Sequence, residues 1–319
     1  MLEHLSFGAG NLVRMGLLGL ASVGFAGVVG AKEPPPPVGN EAFKIVSPQW
    51  LAEHANDPKV RILDVRSDVH DYLAGHVPNA THIADSTMRA PKAGVPVQYL
   101  EPEQMAELFC RAGIHNSDSV VLYSSGKDVL GATMVAYCLQ RLGYNKTMVL
   151  DGGYPVYAND QKATQDYPDC PRGDLTPKLD RSCFANLDDV LVATKNSRAV
   201  LIDARPANAY AGAIDTWMRN GHIPGAVNLD WHEMVDPNNN HQFKPVDEMR
   251  GLVERTGVKK ENDVIIYCGT SREATLLYMV MKHVLGYPKV RLYEGSWTEY
   301  CAHKELPVAK GPEPGGTRH

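Results

Sequence analysis

The stretch VIIYCGTSREATLLYMVM, residues 264–281, sets a cysteine between two differently patterned runs. Val264, Ile265, Ile266 and Tyr267 are β-branched or aromatic and read as a short buried strand. From Ala274 onward Leu276, Leu277, Val280, Met281 and Val284 recur at helical spacing, and the helix is predicted to end near Gly286. Between strand and helix lie Cys268, Gly269, Thr270, Ser271, Arg272 and Glu273. A loop in this position can aim several backbone N–H groups at one point and so cradle an anion. A thiol held there, near N–H dipoles and Arg272, is expected to ionise readily. The competing reading is a buried structural cysteine at a strand end.

The same pattern occurs twice in the chain. ILDVRSDVHDYLAGHVPNATHI (62–83) is echoed by LIDARPANAYAGAIDTWMRNGHIPGAVNL (201–229). VVLYSS (120–125) is echoed by VIIYCG (264–269), and LQRLGYNKTMVLDGGYPVY (139–157) by KHVLGYPKVRLYEGSWTEY (282–300). The matches keep their order at offsets of 139 to 146 residues, a period that makes each copy a domain rather than a solenoid repeat. Short apolar runs alternate with helical patterns at 103–112 and 129–142, which predicts an α/β fold: two tandem domains, each a mostly parallel sheet with helices on both faces. Ligands of such sheets bind beyond the C-terminal strand ends, which is where Cys268 falls.

The remaining segments divide the chain further. Residues 15–29 are uncharged, follow Arg14 and precede small residues up to Ala31, so 1–31 read as a cleavable signal peptide. Residues 32–42 contain four consecutive prolines and read as a stiff spacer. The first domain is assigned to 43–160, a polar linker to 161–182, the second domain to 183–310 and a tail to 311–319. This organisation predicts a periplasmic or secreted protein without stable membrane insertion after processing. The 319 residues are 44% hydrophobic with a net charge of −5 and carry no basic–aromatic patch, which argues against nucleic-acid binding. The six cysteines show no zinc spacing, so no metal is expected. Cys170 and Cys183 flank the linker and are candidates for a disulfide in an oxidising compartment, the alternative being two free thiols. Cys110 and Cys138 fall on helical patterns and read as core thiols.

The repeated Asp-x-Arg, the Gly-His-[Ile/Val]-Pro turn, the strand–Cys–loop–helix and the closing EGSW together resemble the tandem-domain rhodanese family of sulfurtransferases. The resemblance spans nearly all of 43–309. It implies a catalytically silent first domain and, in the second, a cysteine that carries sulfur as a persulfide between a small anionic donor and a thiophilic acceptor, with no cofactor. The first copy agrees: Ser124 stands where Cys268 stands in the second. By resemblance Gly269, Thr270, Ser271, Arg272, Glu273 and Ala274 form the donor-binding loop around Cys268. Arg272 is expected to add charge for the leaving sulfite. Glu273 has no evident part in that chemistry, because a carboxylate opposes anion binding unless it points outward.

Two donors remain open. Gly269 resembles the branch that uses 3-mercaptopyruvate, but Ser271 stands where that branch has glycine, and Ala209 where it usually has a carboxylate-clamping arginine. The proton relay of that branch uses a first-domain histidine, matched by His76, and an aspartate whose place falls at Arg66. Thiosulfate is therefore the favoured donor, with Arg219 as a candidate substitute clamp. A dual-specificity phosphatase would need Cys-x5-Arg, and that arginine's position is Ala274. A persulfide carrier that serves only a protein partner is the other alternative. Asp64, Arg66, Asp203, Arg205 and His222 read best as structural residues, and Trp297 as core.

Overall fold

The computed structural model describes residues 33–319 apart from 125, 197–198, 316 and 319; the expected signal peptide, 1–31, lies outside the described residues. In the first half, strands Phe43–Val46, Thr147–Leu150, Ser119–Tyr123, Val60–Asp64 and Ala80–His82 lie side by side in that order, all parallel. In the second half, Phe184–Ala185, Val290–Tyr293, Asp263–Tyr267, Ala199–Asp203 and Val227–Asn228 repeat that order, again parallel. The duplicated sequence thus folds into duplicated topology. Ile265 and Ile266 are fully buried, as strands covered on both faces require.

Two segments do more than the sequence suggests. Val38–Gly39, within the proline-rich spacer, adds an antiparallel edge strand beside Phe43–Val46. The tail also folds back: Ala309–Lys310 pairs with Thr317–Arg318, and Pro314 accepts a hydrogen bond from Gly225 N at 2.8 Å. Among the described residues no helix is long and apolar enough to cross a membrane.

The halves share one core. In helix Leu130–Arg141 every residue is buried, because it packs against the second half's Glu273–Met279 rather than facing solvent. Thr133 and Thr275 hydroxyls meet at 3.0 Å, Tyr137 packs edge-on against Tyr278, and Tyr137 and Arg141 both donate to Glu294. The helix that starts at Glu273 changes to a wider π-turn over Val280–Val284, and Gly286 follows with φ of +74°.

Of the two readings left open for Cys170 and Cys183, the structure has the second: both are free thiols and no disulfide joins them. Cys170 Sγ lies against the Arg111 carbonyl of the first domain, while Cys183 Sγ donates to Asp180 O at 2.9 Å. The chain between them is fastened along the first domain by Gly173 N to Cys110 O, Asn116 to Asp174 and Lys178 N to Leu142 O, so each cysteine is anchored to different partners. Cys110 and Cys138 are buried core thiols, as expected.

Candidate active site

The Asp-x-Arg motifs build the platform under the site. Asp203 accepts hydrogen bonds from the Arg205 backbone N–H and guanidinium, and Arg205 Nη2 reaches on to Gly221 O at 2.7 Å, which ties the strand end to the Gly-His turn. Asp64, Arg66 and Gly75 O repeat this arrangement in the first half. Both arginines also lie over aromatic rings, Arg205 at 4.8 Å from the Trp297 centroid and Arg66 at 4.2 Å from Tyr154. All four charged side chains are buried, so the pairs persist only because each is hydrogen-bonded on several sides.

Above this platform Cys268 directly follows strand Asp263–Tyr267. The EGSW segment grips the loop from one side: Trp297 N donates to Cys268 O at 2.9 Å, and Thr298 Oγ1 to Gly269 O at 2.7 Å. The first half grips it from the other through its hairpin Arg89–Lys92 and Val95–Tyr99. Arg89 donates to Thr270 O and Tyr99 OH to Ser271 O, both at 2.8 Å. Ser271 is held at φ +62°, a left-handed turn that bends the loop around the sulfur. Gly269 is required by packing: a Cβ there would come within 2.7 Å of the Trp217 ring.

The thiol is fully buried, and the expectation that it ionises readily is not met in the resting site. Burial pushes the Cys268 pKa up to about 12, and the neighbouring Glu273 charge adds to the rise, while the N–H groups of Ala274 and Thr270 work against it. Glu273 does not point outward. Its Oε2 accepts at 3.5 Å from the backbone N of Gly269, the residue next to Cys268, and its carboxylate charge acts on the thiol. Burial raises the Glu273 pKa above the ordinary glutamate value, against the opposing influence of Gly269 N–H, the thiol and Arg205. Thr270 opens onto a cavity of about 740 Å³ between the halves, lined also by Val95, Trp217, Met218, Thr298 and Cys301.

Three residues expected to bind substrate are engaged elsewhere. Arg219 donates to the carbonyls of Tyr300, Cys301, His303 and Leu306; it closes the end of helix Ser296–Tyr300 and has no free fork for a substrate carboxylate. His76 is buried in the first half, with Nδ1 on Tyr72 O at 2.9 Å and its ring stacked on Tyr72 at 3.8 Å. His222 repeats the arrangement on Tyr210, so both histidines fasten their turns. Arg272 sits in the loop, but its guanidinium pairs with Asp85 at 3.2 Å and Asp128 at 3.1 Å of the first half. Burial opposes its charge, yet the two carboxylates hold its pKa above the ordinary arginine value. Its charge is thus largely committed to joining the halves. Trp297 is core, fully buried, with Nε1 donating to Arg219 O. Sequence reading missed Asp85, Arg89, Tyr99, Asp128, Trp217 and Thr298. The available signal was the second hairpin at the equivalent place in the other copy, Val235–Asp236 with Asn239–Phe243, which reaches the first half's loop through Val129 N to Asn240 O.

Two such α/β domains in tandem, one of them with a buried cysteine at the head of its central strand, define the class of the protein. The family model for the rhodanese-like domain matches residues 47–160 and again 187–303. A Synechococcus elongatus protein named for thiosulfate sulfurtransferase activity is 44% identical over 85% of this chain and 86% of its own length. The sulfur carrier protein TtuD of Thermus thermophilus is 34% identical over 84% of this chain and 97% of its own. The crystal structure of SseA, a 3-mercaptopyruvate sulfurtransferase of Escherichia coli, superposes with a TM-score of 0.69 at 28% identity, covering 79% of this chain and 98% of SseA. The chain belongs to the rhodanese family.

Proposed function

We propose that this sulfurtransferase takes sulfane sulfur from thiosulfate and passes it to a thiophile such as cyanide or a small thiol. The Cys268 thiolate attacks the outer sulfur of thiosulfate; the new S–S bond forms as the S–SO3 bond breaks and its electron pair leaves with sulfite. The acceptor then attacks the terminal persulfide sulfur and frees the Cys268 thiolate, giving ping-pong kinetics. Loop N–H groups, including those of Thr270 and Ala274, stabilise the sulfur charge in both states.

The observation that carries the choice of donor is the missing carboxylate clamp. Ala209 offers no charge and Arg219 is consumed by four carbonyls, so little favours the carboxylate of 3-mercaptopyruvate. The 44% identity to the Synechococcus protein points the same way. The likeness to TtuD supports a second reading, in which the persulfide is delivered to a protein partner. Intact mass after thiosulfate, then after cyanide, tests the proposal: the gain of one sulfur atom and its loss, with kcat/KM for thiosulfate above that for 3-mercaptopyruvate, is the expected result. A higher kcat/KM for 3-mercaptopyruvate reverses the choice of donor. A stable persulfide that cyanide does not discharge favours the carrier reading.

We also propose export, with cleavage after Ala31, on the uncharged run behind Arg14. N-terminal sequencing of the protein recovered from a periplasmic fraction checks it; an intact Met1 start found only inside the cell rejects it.

A further inference from the structure

Resting on the sulfurtransferase reading, we infer that Glu273 is the proton acceptor for Cys268: its carboxylate takes the thiol proton as the sulfur attacks the donor, and returns it when the acceptor has removed the sulfur.

The first support is position. Glu273 turns back over the loop to Gly269 N at 3.5 Å, which sets its carboxyl beside the residue that follows Cys268, near enough for each group to bias the other's ionisation. The second is that, among the described residues, the other titratable groups around the loop and its cavity are engaged elsewhere: Asp203 is held by Arg205, Asp85 and Asp128 by Arg272, Glu299 accepts from Tyr293 OH, His303 pairs with Glu305, and His76 and His222 are held by main-chain carbonyls. The third comes from the duplication. Counted from the strand-ending tyrosines, the silent copy has Ser124 and Val129 where the other has Cys268 and Glu273. The nucleophile and the carboxyl are thus either both present or both absent.

The charges around the pair suit the role. Burial and Asp203 favour a protonated Glu273; Arg205 and Gly269 N–H favour the carboxylate; Glu273 itself and burial favour the thiol over the thiolate. Two negative charges side by side are thus disfavoured, and a thiolate at Cys268 is best tolerated beside a neutral Glu273. In the first half-reaction Cys–SH and Glu273–COO⁻ become Cys–S⁻ and Glu273–COOH, and the thiolate displaces sulfite from thiosulfate. The neutral acid then no longer repels the dianion and can donate to the persulfide anion. In the second half-reaction the acceptor anion takes the outer sulfur, and the proton returns from Glu273 to the freed thiolate.

Glu273→Gln keeps the side chain's size and its ability to accept from Gly269 N–H. Expected is a fall of about a hundredfold or more in kcat/KM for thiosulfate, with loss of the acidic limb of the pH–rate profile. The decisive measurement uses no sulfur donor: the rate at which iodoacetamide alkylates Cys268, followed by peptide mass against pH. A slower rate in Glu273→Gln at neutral pH is expected. If Glu273 were only a fixed negative charge, its removal would lower the thiol pKa and speed alkylation; that result overturns the inference. Glu273→Asp guards against misfolding and is expected to retain the acidic limb at an intermediate rate; an alkylation profile unchanged from wild type but without that limb also overturns it. A wild-type chain whose alkylation depends on Glu273 but which accepts sulfur from no donor would instead defeat the sulfurtransferase reading alone.

Discussion

Two strand-to-helix loops, one in each half, sit on nearly identical foundations and differ in what they carry. Tyr123 and Tyr267 end equivalent strands, and each hydroxyl accepts from the turn after its histidine, Val77 N in one half and Ile223 N in the other. The aspartate–arginine pairs and the Tyr–His stacks beneath are also duplicated. The loops then diverge. In the first, Ser124 Oγ donates to Asp128 O at 3.0 Å and closes the loop on itself. In the second, N–H groups of Thr270 and Ala274 act on Cys268, and the bond across the loop is made instead by Glu273, whose Oε2 accepts from Gly269 N at 3.5 Å. The repeated motifs therefore specify a scaffold common to both halves, and the proposed chemistry falls to the few positions where the copies disagree. The disagreement at the fifth loop position is used mechanically as well: Asp128 of one copy pairs with Arg272 of the other.

The sharpest way to break this comparison is to exchange its central pair. Cys268→Ser is expected to abolish sulfur transfer with the fold retained, and mass spectrometry should find no added sulfur on the variant after thiosulfate. Ser124→Cys is expected to gain no activity in the same background, since it lacks a carboxyl partner at Val129. Persulfide at residue 124 in that double variant would show that the scaffold alone suffices.

A smaller effect is expected from the contact between the copies. Arg272→Ala leaves Asp85 and Asp128, both well buried, without their cation. Loss of charge-assisted bonds of this kind costs about 1–3 kcal/mol, so the midpoint of urea unfolding should fall while the slope is kept. Asp85→Asn added to Arg272→Ala should recover part of the loss. Stability unchanged by Arg272→Ala, together with a large rise in KM for thiosulfate, would restore the role in donor binding that the sequence suggests for this arginine.

The repeat was open to sequence reading because hydrophobic period and turn motifs are local properties, and the copies reinforce one another. Cys268 was open for the same reason: a strand, a polar loop and a helix flank it within 18 residues of sequence. The partners of Arg272, Arg219 and His76 were not, because each is set by a contact between segments distant in the chain. Arg272 meets Asp85 across the domain boundary, and Arg219 meets carbonyls some eighty residues onward. A charged side chain near a candidate nucleophile looks free in a sequence until its counter-charge is placed. Glu273 shows the converse: it appeared unsuited to an anion loop, and its inward turn to Gly269 N, beside Cys268, is visible only in the fold.

The smallest effect is expected at Ser271, where loop shape and side-chain chemistry separate. Its φ of +62° costs a non-glycine residue roughly 1–2 kcal/mol, a cost glycine does not bear. Ser271→Gly removes that strain but gives back about 0.5–1 kcal/mol through the greater freedom of the unfolded chain. It also removes the Oγ contact with Tyr99 OH at 3.3 Å, worth about 0.5–1.5 kcal/mol. The stronger tie, Tyr99 OH to Ser271 O at 2.8 Å, uses the backbone and survives. These contributions nearly cancel, so unfolding free energy should change by less than about 1 kcal/mol and kcat/KM for thiosulfate by only a few-fold. Denaturant titration and steady-state kinetics on the same preparation check both. A stability change that small, joined to a loss of activity of a hundredfold or more, would mean that the hydroxyl itself meets the substrate and that the backbone turn alone does not define the cradle.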